Sequence, residues 1–267
     1  MTQGKAKVNY LNREGLVAVQ NAPSWDFLYE VSLVKNPNYN LGDRVVLPDG
    51  REFRYAKNAG SAALYAAHGC EFTYTGYTAY TAFAVSAAIG AREITIPAAT
   101  HAALTEDELR GGYVIIFDGA SDYYTTTRGI IGNDAAAANA LFKIRLDAAI
   151  TYAITASTSA CEAYQNPYAA LTVGADATKP KAGVPASYVS ASASYFWVQV
   201  KGITWAAPQG TDSDNGGVAR VWRHNGGLES LETAYAITVA TADTSQYAGY
   251  CVSGSPGGNG PLFMLQG

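Results

Sequence analysis

The sequence predicts a mainly β protein with little helix: two β-sandwich or barrel-like units preceded by an extended N-terminal arm. Three observations carry that expectation. Short runs rich in Val, Ile, Thr, Tyr and Phe recur at about ten-residue spacing, separated by Gly, Asp and Asn turns. No long stretch shows the 3.6-residue apolar period of an amphipathic helix. A hairpin signature is also present, with Arg44 to Leu47 and Arg51 to Tyr55 flanking Pro48-Asp49-Gly50. Proline presets φ for the second turn position, Asp49 suits the third, and Gly50 takes the left-handed conformation that closes a bulged three-residue loop.

In chain order, residues 1–40 carry little periodicity and read as an arm with short strands at Leu16 to Val19 and Phe27 to Leu33. After the hairpin, the Ala-rich run Ala56 to His68 predicts a short helix, weakened by Gly60. Phe72 to Val85 is dense in Thr and aromatics and predicts a strand, with Gly76 marking a bulge or close approach. Arg92 to Ile96 is another strand, ended by Pro97. Thr105 to Glu108 has capping-box spacing, but Gly111-Gly112 leaves room for a single helical turn. Tyr113 to Phe117 reads as a buried strand. Leu141 to Leu146 alternates Phe142, Ile144 and Leu146 with Lys143 and Arg145, the pattern of a half-buried strand, and Ile150, Tyr152 and Ile154 repeat it. Asn166 to Pro185 is loop-rich and marks a boundary. The expected organisation is an arm at 1–40, a β-rich domain at 41–165, and a loop followed by a C-terminal barrel-like domain at 166–267. Strands of the last are expected at Tyr195 to Lys201, Val218 to Arg223, Ala234 to Ala240 and Leu262 to Leu265.

At 267 residues and 28.1 kDa the chain is long enough for a sizeable core. Charged residues make up 15%, well below the roughly 25% of an average soluble protein. The surface is therefore built largely from Ala, Ser, Thr, Gly, Asn and Tyr, and is either quiet or covered by other subunits. The 19 tyrosines fit both readings, as strand formers and as interface residues. A net charge of −4, a pI near 5.4 and the absence of a basic run argue against nucleic-acid binding as the main role. No stretch reaches the roughly 18 apolar residues of a membrane-spanning helix. The start, MTQGKAKVNYLNREG, lacks the apolar segment of a signal peptide. Cys70, Cys161 and Cys251 are far apart without metal-ligand spacing, and predict buried thiols in a reducing compartment.

The sequence contains no recognisable catalytic constellation. His68, His101 and His224 are scattered outside any HxxxH or HxH pattern. Gly254-Ser255-Pro256-Gly257-Gly258 superficially resembles a serine-protease GDSGG, but the preceding Asp is missing and Pro256 removes a backbone N–H. Asp212-Ser213-Asp214-Asn215-Gly216 lacks calcium-loop spacing and the bidentate Glu, so it reads as a hairpin tip, with cation binding left open. There is no G-x-S-x-G elbow, P-loop or dinucleotide fingerprint. Paired glycosidase carboxylates need only meet in space, but acidic residues in strands beside aromatics are sparse. The expectation is a protein that is not an enzyme and holds no cofactor or metal.

Several segments taken together carry a resemblance. They are LGDRVVLPDGREFRYAKNAG at 41–60, GGYVIIFDG at 111–119, RGIIGN at 128–133, LFKIRLDAAI at 141–150, YQNPY at 164–168 and GVPASYVSASASYFWVQVKG at 183–202. In this order the chain resembles structural proteins of tailed-bacteriophage virions, most nearly the capsid decoration (cement) proteins. DAAAANA at 134–140 departs from that pattern. The resemblance implies a non-enzymatic virion component on the outer capsid surface that stabilises the head, made in the bacterial host cytoplasm. It implies the major capsid protein and further copies of this chain as partners, a trimer on a local three-fold axis being the expected state, with no nucleic acid and no membrane. Alternatives are a head fibre, a tail or receptor-binding protein, or a carbohydrate-binding β domain. Candidate contacts are Trp25, Phe27 and Tyr29, whose odd spacing puts them on one face of an extended segment. Arg51, Arg54 and Lys57 are candidates for an acidic neighbour.

Overall fold

The computed structural model describes residues 7–9, 25–73, 76–98, 101–119, 125–174, 179–207, 219–222, 226–230, 246–253 and 262–265. These residues are mainly β, in two curled sheets that form half-barrels. They hold two short 3-10 turns, Asp26–Tyr29 and Pro167–Ala169, and no α-helix. The chain divides into two units, one made of residues 1–73 with 168–267 and the other of residues 74–167.

The first unit contains β1 (Lys7–Asn9), β2 (Arg44–Val46), β3 (Glu52–Lys57) and β4 (Cys70–Phe72) from the N-terminal part. From the C-terminal part come β11 (Leu171–Val173), β12 (Lys181–Pro185), β13 (Tyr195–Trp205), β14 (Ala219–Trp222), β15 (Leu228–Ser230), β16 (Tyr247–Ser253) and β17 (Leu262–Leu265). The sheet runs β1-β2-β3-β13-β17-β16-β14-β15, with β12 bridging β13 to β4 and β11 on the far side of β4. The β2–β3 hairpin is closed as its wording predicts. Gly50 sits at φ +87°, and the Leu47 N–H donates to the Arg51 carbonyl at 2.8 Å. The strand β13 explains why a run as apolar as Tyr-Phe-Trp-Val occurs. Both of its faces are covered, Trp197 entering a cluster with Leu28, Val45, Leu47, Phe53 and Tyr55. Phe196 and Val198 enter a second cluster with Ala56, Leu64, Cys70 and Leu171. A strand buried on both sides loses the polar alternation of a surface strand.

The second unit contains β5 (Gly76–Ala82), β6 (Glu93–Ile96), β7 (Tyr113–Phe117), β8 (Thr126–Asn133), β9 (Phe142–Leu146) and β10 (Ala160–Tyr164), in the order β5-β10-β7-β8-β9-β6. Here alternation is clean. Phe142, Ile144 and Leu146 join Ile94, Ile96, Val114 and Ile116 in one core, while Lys143 is exposed and Arg145 half-buried. Lys143 meets Glu93 across the β6–β9 pair at 2.8 Å. Asn133, fully buried at the end of β8, ties a loop to this sheet. Its amide oxygen accepts the Leu109 N–H at 2.7 Å, and its amide nitrogen donates to the Thr105 and Asp134 carbonyls. The expected capping turn forms beside it, with the Glu108 carboxylate accepting from the Thr105 N–H at 2.8 Å.

Six expectations need correction. The division is not 41–165 against 166–267, because β3 pairs along its length with β13 and so joins the hairpin to the C-terminal strands. Asp26–Tyr29 is a 3-10 turn, not part of an extended strand. Ala56 to His68 forms no helix. β3 runs to Lys57, Gly60 takes φ +86°, and Leu64 makes a single bridge to Val189, so backbone groups find partners on another segment. Ile150 to Ile154 is irregular apart from the bridge of Ile154 to Ala87, and the loop-rich 166–185 contains β11 and β12. Finally, Tyr113 to Phe117 is buried on one face only. The expected strands Leu16 to Val19 and Ala234 to Ala240 lie outside the described residues.

Candidate functional site

Two of the three aromatic residues singled out in the arm, Trp25 and Phe27, pack against the cluster around Trp197. Asp26–Tyr29 turns so that Leu28 is buried and Phe27 is half-buried. The Phe27 ring meets Trp197 edge-on at 5.7 Å and stacks on Tyr39 at 6.2 Å. Tyr39 and Tyr55 complete the surround at 5.2 and 5.1 Å from Trp197. Such pairs add about 0.5–1.5 kcal/mol each beyond their buried area. Burial raises the Tyr55 phenol pKa, and its oxygen accepts the Asn36 N–H at 3.1 Å. Trp25 is half-buried under the Arg51 guanidinium, 5.9 Å from its ring centre. The three arm aromatics therefore do not share one face. Trp25 and Phe27 serve the fold, and Tyr29 stays exposed.

The three basic candidates also have partners inside the chain. Arg51 meets Asp49 at 2.8 Å. Burial opposes the Arg51 charge, but Asp49 and the Tyr29 hydroxyl outweigh it and push its pKa above the ordinary guanidinium value. Arg54 sits 3.3 Å from Glu52 and donates to the Gly42 carbonyl at 3.0 Å, and Arg44 reaches the same Glu52 at 2.6 Å. The Lys57 ammonium lies over the Tyr195 ring at 5.5 Å. These charges are held in place by the hairpin's own surroundings.

What the hairpin and β13 do present is the segment that follows the 3-10 turn. Ser32 exchanges backbone hydrogen bonds with Tyr195 at 3.0 and 2.7 Å, and the Ser187 hydroxyl donates to the Tyr29 carbonyl at 2.9 Å. The Asn36 N–H, held by the Tyr55 hydroxyl at 3.1 Å, anchors the segment again beyond them, and between Tyr29 and Asn36 the side chains of Tyr29, Val31, Leu33 and Val34 are exposed, Leu33 at 71% and Val34 at 75%. Apolar side chains fixed in solvent by an anchored backbone suit a contact surface. Leu33 and Val34 were missed because an apolar pair in a presumed strand reads as core.

The chemistry-bearing groups lie elsewhere and apart. Both ring nitrogens of the buried His101 are occupied, 2.6 Å from the Ala102 carbonyl and 2.9 Å from the Ala140 carbonyl. His68 sits beside the exposed Tyr65 ring at 6.1 Å. Burial pushes the Cys70 and Cys161 thiols up to about 12, and all three cysteines are free and buried. Lys181 and Glu71 form a buried ion pair at 2.7 Å that no sequence pattern announces. Among the described residues no three His, Cys, Asp or Glu side chains come together as a metal site. His224, residues 212–216 and residues 254–258 lie outside the described residues. Comparison with protein-family models, curated proteins and solved structures finds no match.

Proposed function

We propose that this chain is a non-enzymatic structural protein of a tailed-phage virion, a decoration protein that binds the outer capsid surface and stabilises the head. The observation that carries the reading is the anchored apolar segment Tyr29 to Val34, which offers side chains to a neighbour without needing to order itself first. The motifs behind the resemblance support it in a particular way. Those at 41–60, 111–119, 141–150 and 183–202 supply β2, β3, β7, β9, β12 and β13, so they speak for a scaffold rather than a reactive site. Low charge and many tyrosines suit extensive subunit contacts.

The test is the double substitution Leu33→Glu with Val34→Glu, scored as occupancy on isolated phage heads that lack the chain. Both side chains are already in water, so the variant folds and its melting temperature stays close to wild type. Occupancy is expected to fall at least tenfold. Unchanged occupancy, or no binding of the wild-type chain to heads, refutes the proposal. Deleting the whole arm is a poorer experiment, because it removes Phe27 and Leu28 from the Trp197 cluster. Mass measurement of the purified chain distinguishes the expected trimer from a monomer.

A further inference from the structure

The outer face of the second unit's sheet is built unlike an ordinary solvated face. In the β7–β10 pair Phe117 faces Ala160, Ile115 faces Glu162 and Tyr113 faces Tyr164. The alternate residues Val114, Ile116, Cys161 and Ala163 point into the core. The outward positions of β7 are thus all apolar or aromatic, where a half-buried antiparallel strand normally turns polar residues outward.

A second observation is independent of that pattern. β5 carries a bulge against β10. Thr81 pairs with Cys161 and Thr78 with Ala163, leaving residues 79 and 80 opposite Glu162. Tyr80 takes φ +28° there, a conformation that a bulky side chain rarely adopts. Bulges re-aim side chains, and strain of this kind persists where it places a group. The strain gains no burial for the Tyr80 ring. It stands 58% exposed, 4.9 Å from the Phe117 ring, on the outer face.

The polar group in the middle decides what fits. Glu162 accepts a hydrogen bond from the Tyr164 hydroxyl at 2.7 Å, and no Lys or Arg pairs with it among the described residues. Tyr80 and Phe117 lie at one end of the face and Tyr113 and Tyr164 at the other, about 13 Å apart along the strand, with the carboxylate between. A protein surface laid over this face would bury that charge at a large desolvation cost unless it brought a cation. A saccharide chain matches it without one, because its C–H faces stack on the rings and its hydroxyls donate to the carboxylate. The same carboxylate disfavours sugars bearing acids.

We infer that the outer face centred on Tyr80, Tyr113, Phe117, Glu162 and Tyr164 is a binding platform for neutral saccharide chains. This inference does not depend on the capsid reading, and either can fail alone. The full-length chain is applied to an array of neutral and acidic oligosaccharides, and the best-retained neutral one is titrated by calorimetry. Tyr80→Ala and Glu162→Gln are each expected to weaken that binding tenfold or more with melting temperature unchanged. Tyr65→Ala, which removes an exposed ring of the other unit, leaves it intact. Absence of retention of any neutral oligosaccharide overturns the inference, as does binding indifferent to both variants. Dissociation of an oligomer by Tyr80→Ala in saccharide-free sedimentation overturns it too, and assigns the face to protein contact.

Discussion

The Lys181–Glu71 pair offers a measurable test of what holds the larger unit together. The two residues face each other across the β4–β12 pair, 2.7 Å apart, with side chains 2% and 1% exposed. Lys181→Met keeps most of the aliphatic volume and removes the cation, so the Glu71 carboxylate is left buried. Breaking a buried pair in this way costs about 3–5 kcal/mol. Lys179 moderates the loss, since its ammonium already stands 3.9 Å from the other Glu71 oxygen and its side chain is 43% exposed. The expected cost is therefore at the lower end, about 3 kcal/mol, or roughly 6–12 °C in melting temperature for a chain of this size. Replacing both residues, Glu71→Leu with Lys181→Met, removes the desolvation penalty along with the attraction. It is expected to lie within about 1 kcal/mol of wild type, or above it. Urea unfolding of wild type, Lys181→Met, Glu71→Leu and the double variant closes the cycle, the midpoint moving while the slope stays constant. If Lys181→Met alone costs under about 1 kcal/mol, or the double variant is as unstable as the single, the pair is not the buried, mutually dependent element described here.

Three further outcomes follow from packing and titration. Trp197→Ala empties the centre of the aromatic cluster and is expected to cost about 3–5 kcal/mol by denaturant melt. Gly183→Ala places a methyl group against the Gln199 carbonyl at φ +142°, where neither backbone can yield, so a soluble but strongly destabilised variant is expected in calorimetry. With native thiol pKa values of about 12 against an ordinary 9.0, Cys70 and Cys161 keep protons that the unfolded chain releases. Their stabilising contribution is fully present below pH 9 and declines above it, by about 1.4 kcal/mol per pH unit per thiol. Cys70→Ala should reduce that alkaline slope, and a thiol reagent at pH 8 should label the cysteines only on unfolding.

Local wording and distant pairing were unequally legible. Pro48-Asp49-Gly50 fixes a turn through its own φ preferences, and the alternation at 142–146 reports one buried face directly, so both could be read from the chain. The pairing of β3 with β13 could not, because nothing local in Glu52–Lys57 names a partner so far along the sequence. The same gap produced the sequential domain boundary. Trp25 and Phe27 read as surface anchors in an expected arm, and a one-dimensional reading has no means of supplying the Trp197 cluster they pack against. Lys181 and Glu71 appeared as two ordinary charges, since only the register places them in contact away from water. Tyr113, Ile115 and Phe117 read as core in the sequence because an apolar run does not say how many of its faces are covered.

The interruption of the first unit by residues 74–167 bears on how the protein is made. Phe72 pairs with Leu171, so the chain leaves and re-enters that unit at neighbouring points of one strand pair. On the ribosome the segment between them is complete first and can fold as it emerges. Strand β3, which ends at Lys57, by contrast waits until Tyr195 is made before β13 begins, roughly 7–28 s at ordinary elongation rates of about 5–20 residues per second. During that interval Phe53 and Tyr55 have no Trp197 to cover them. Slowing translation between residues 170 and 195 therefore prolongs the time during which these apolar side chains of the nascent hairpin lack their partner.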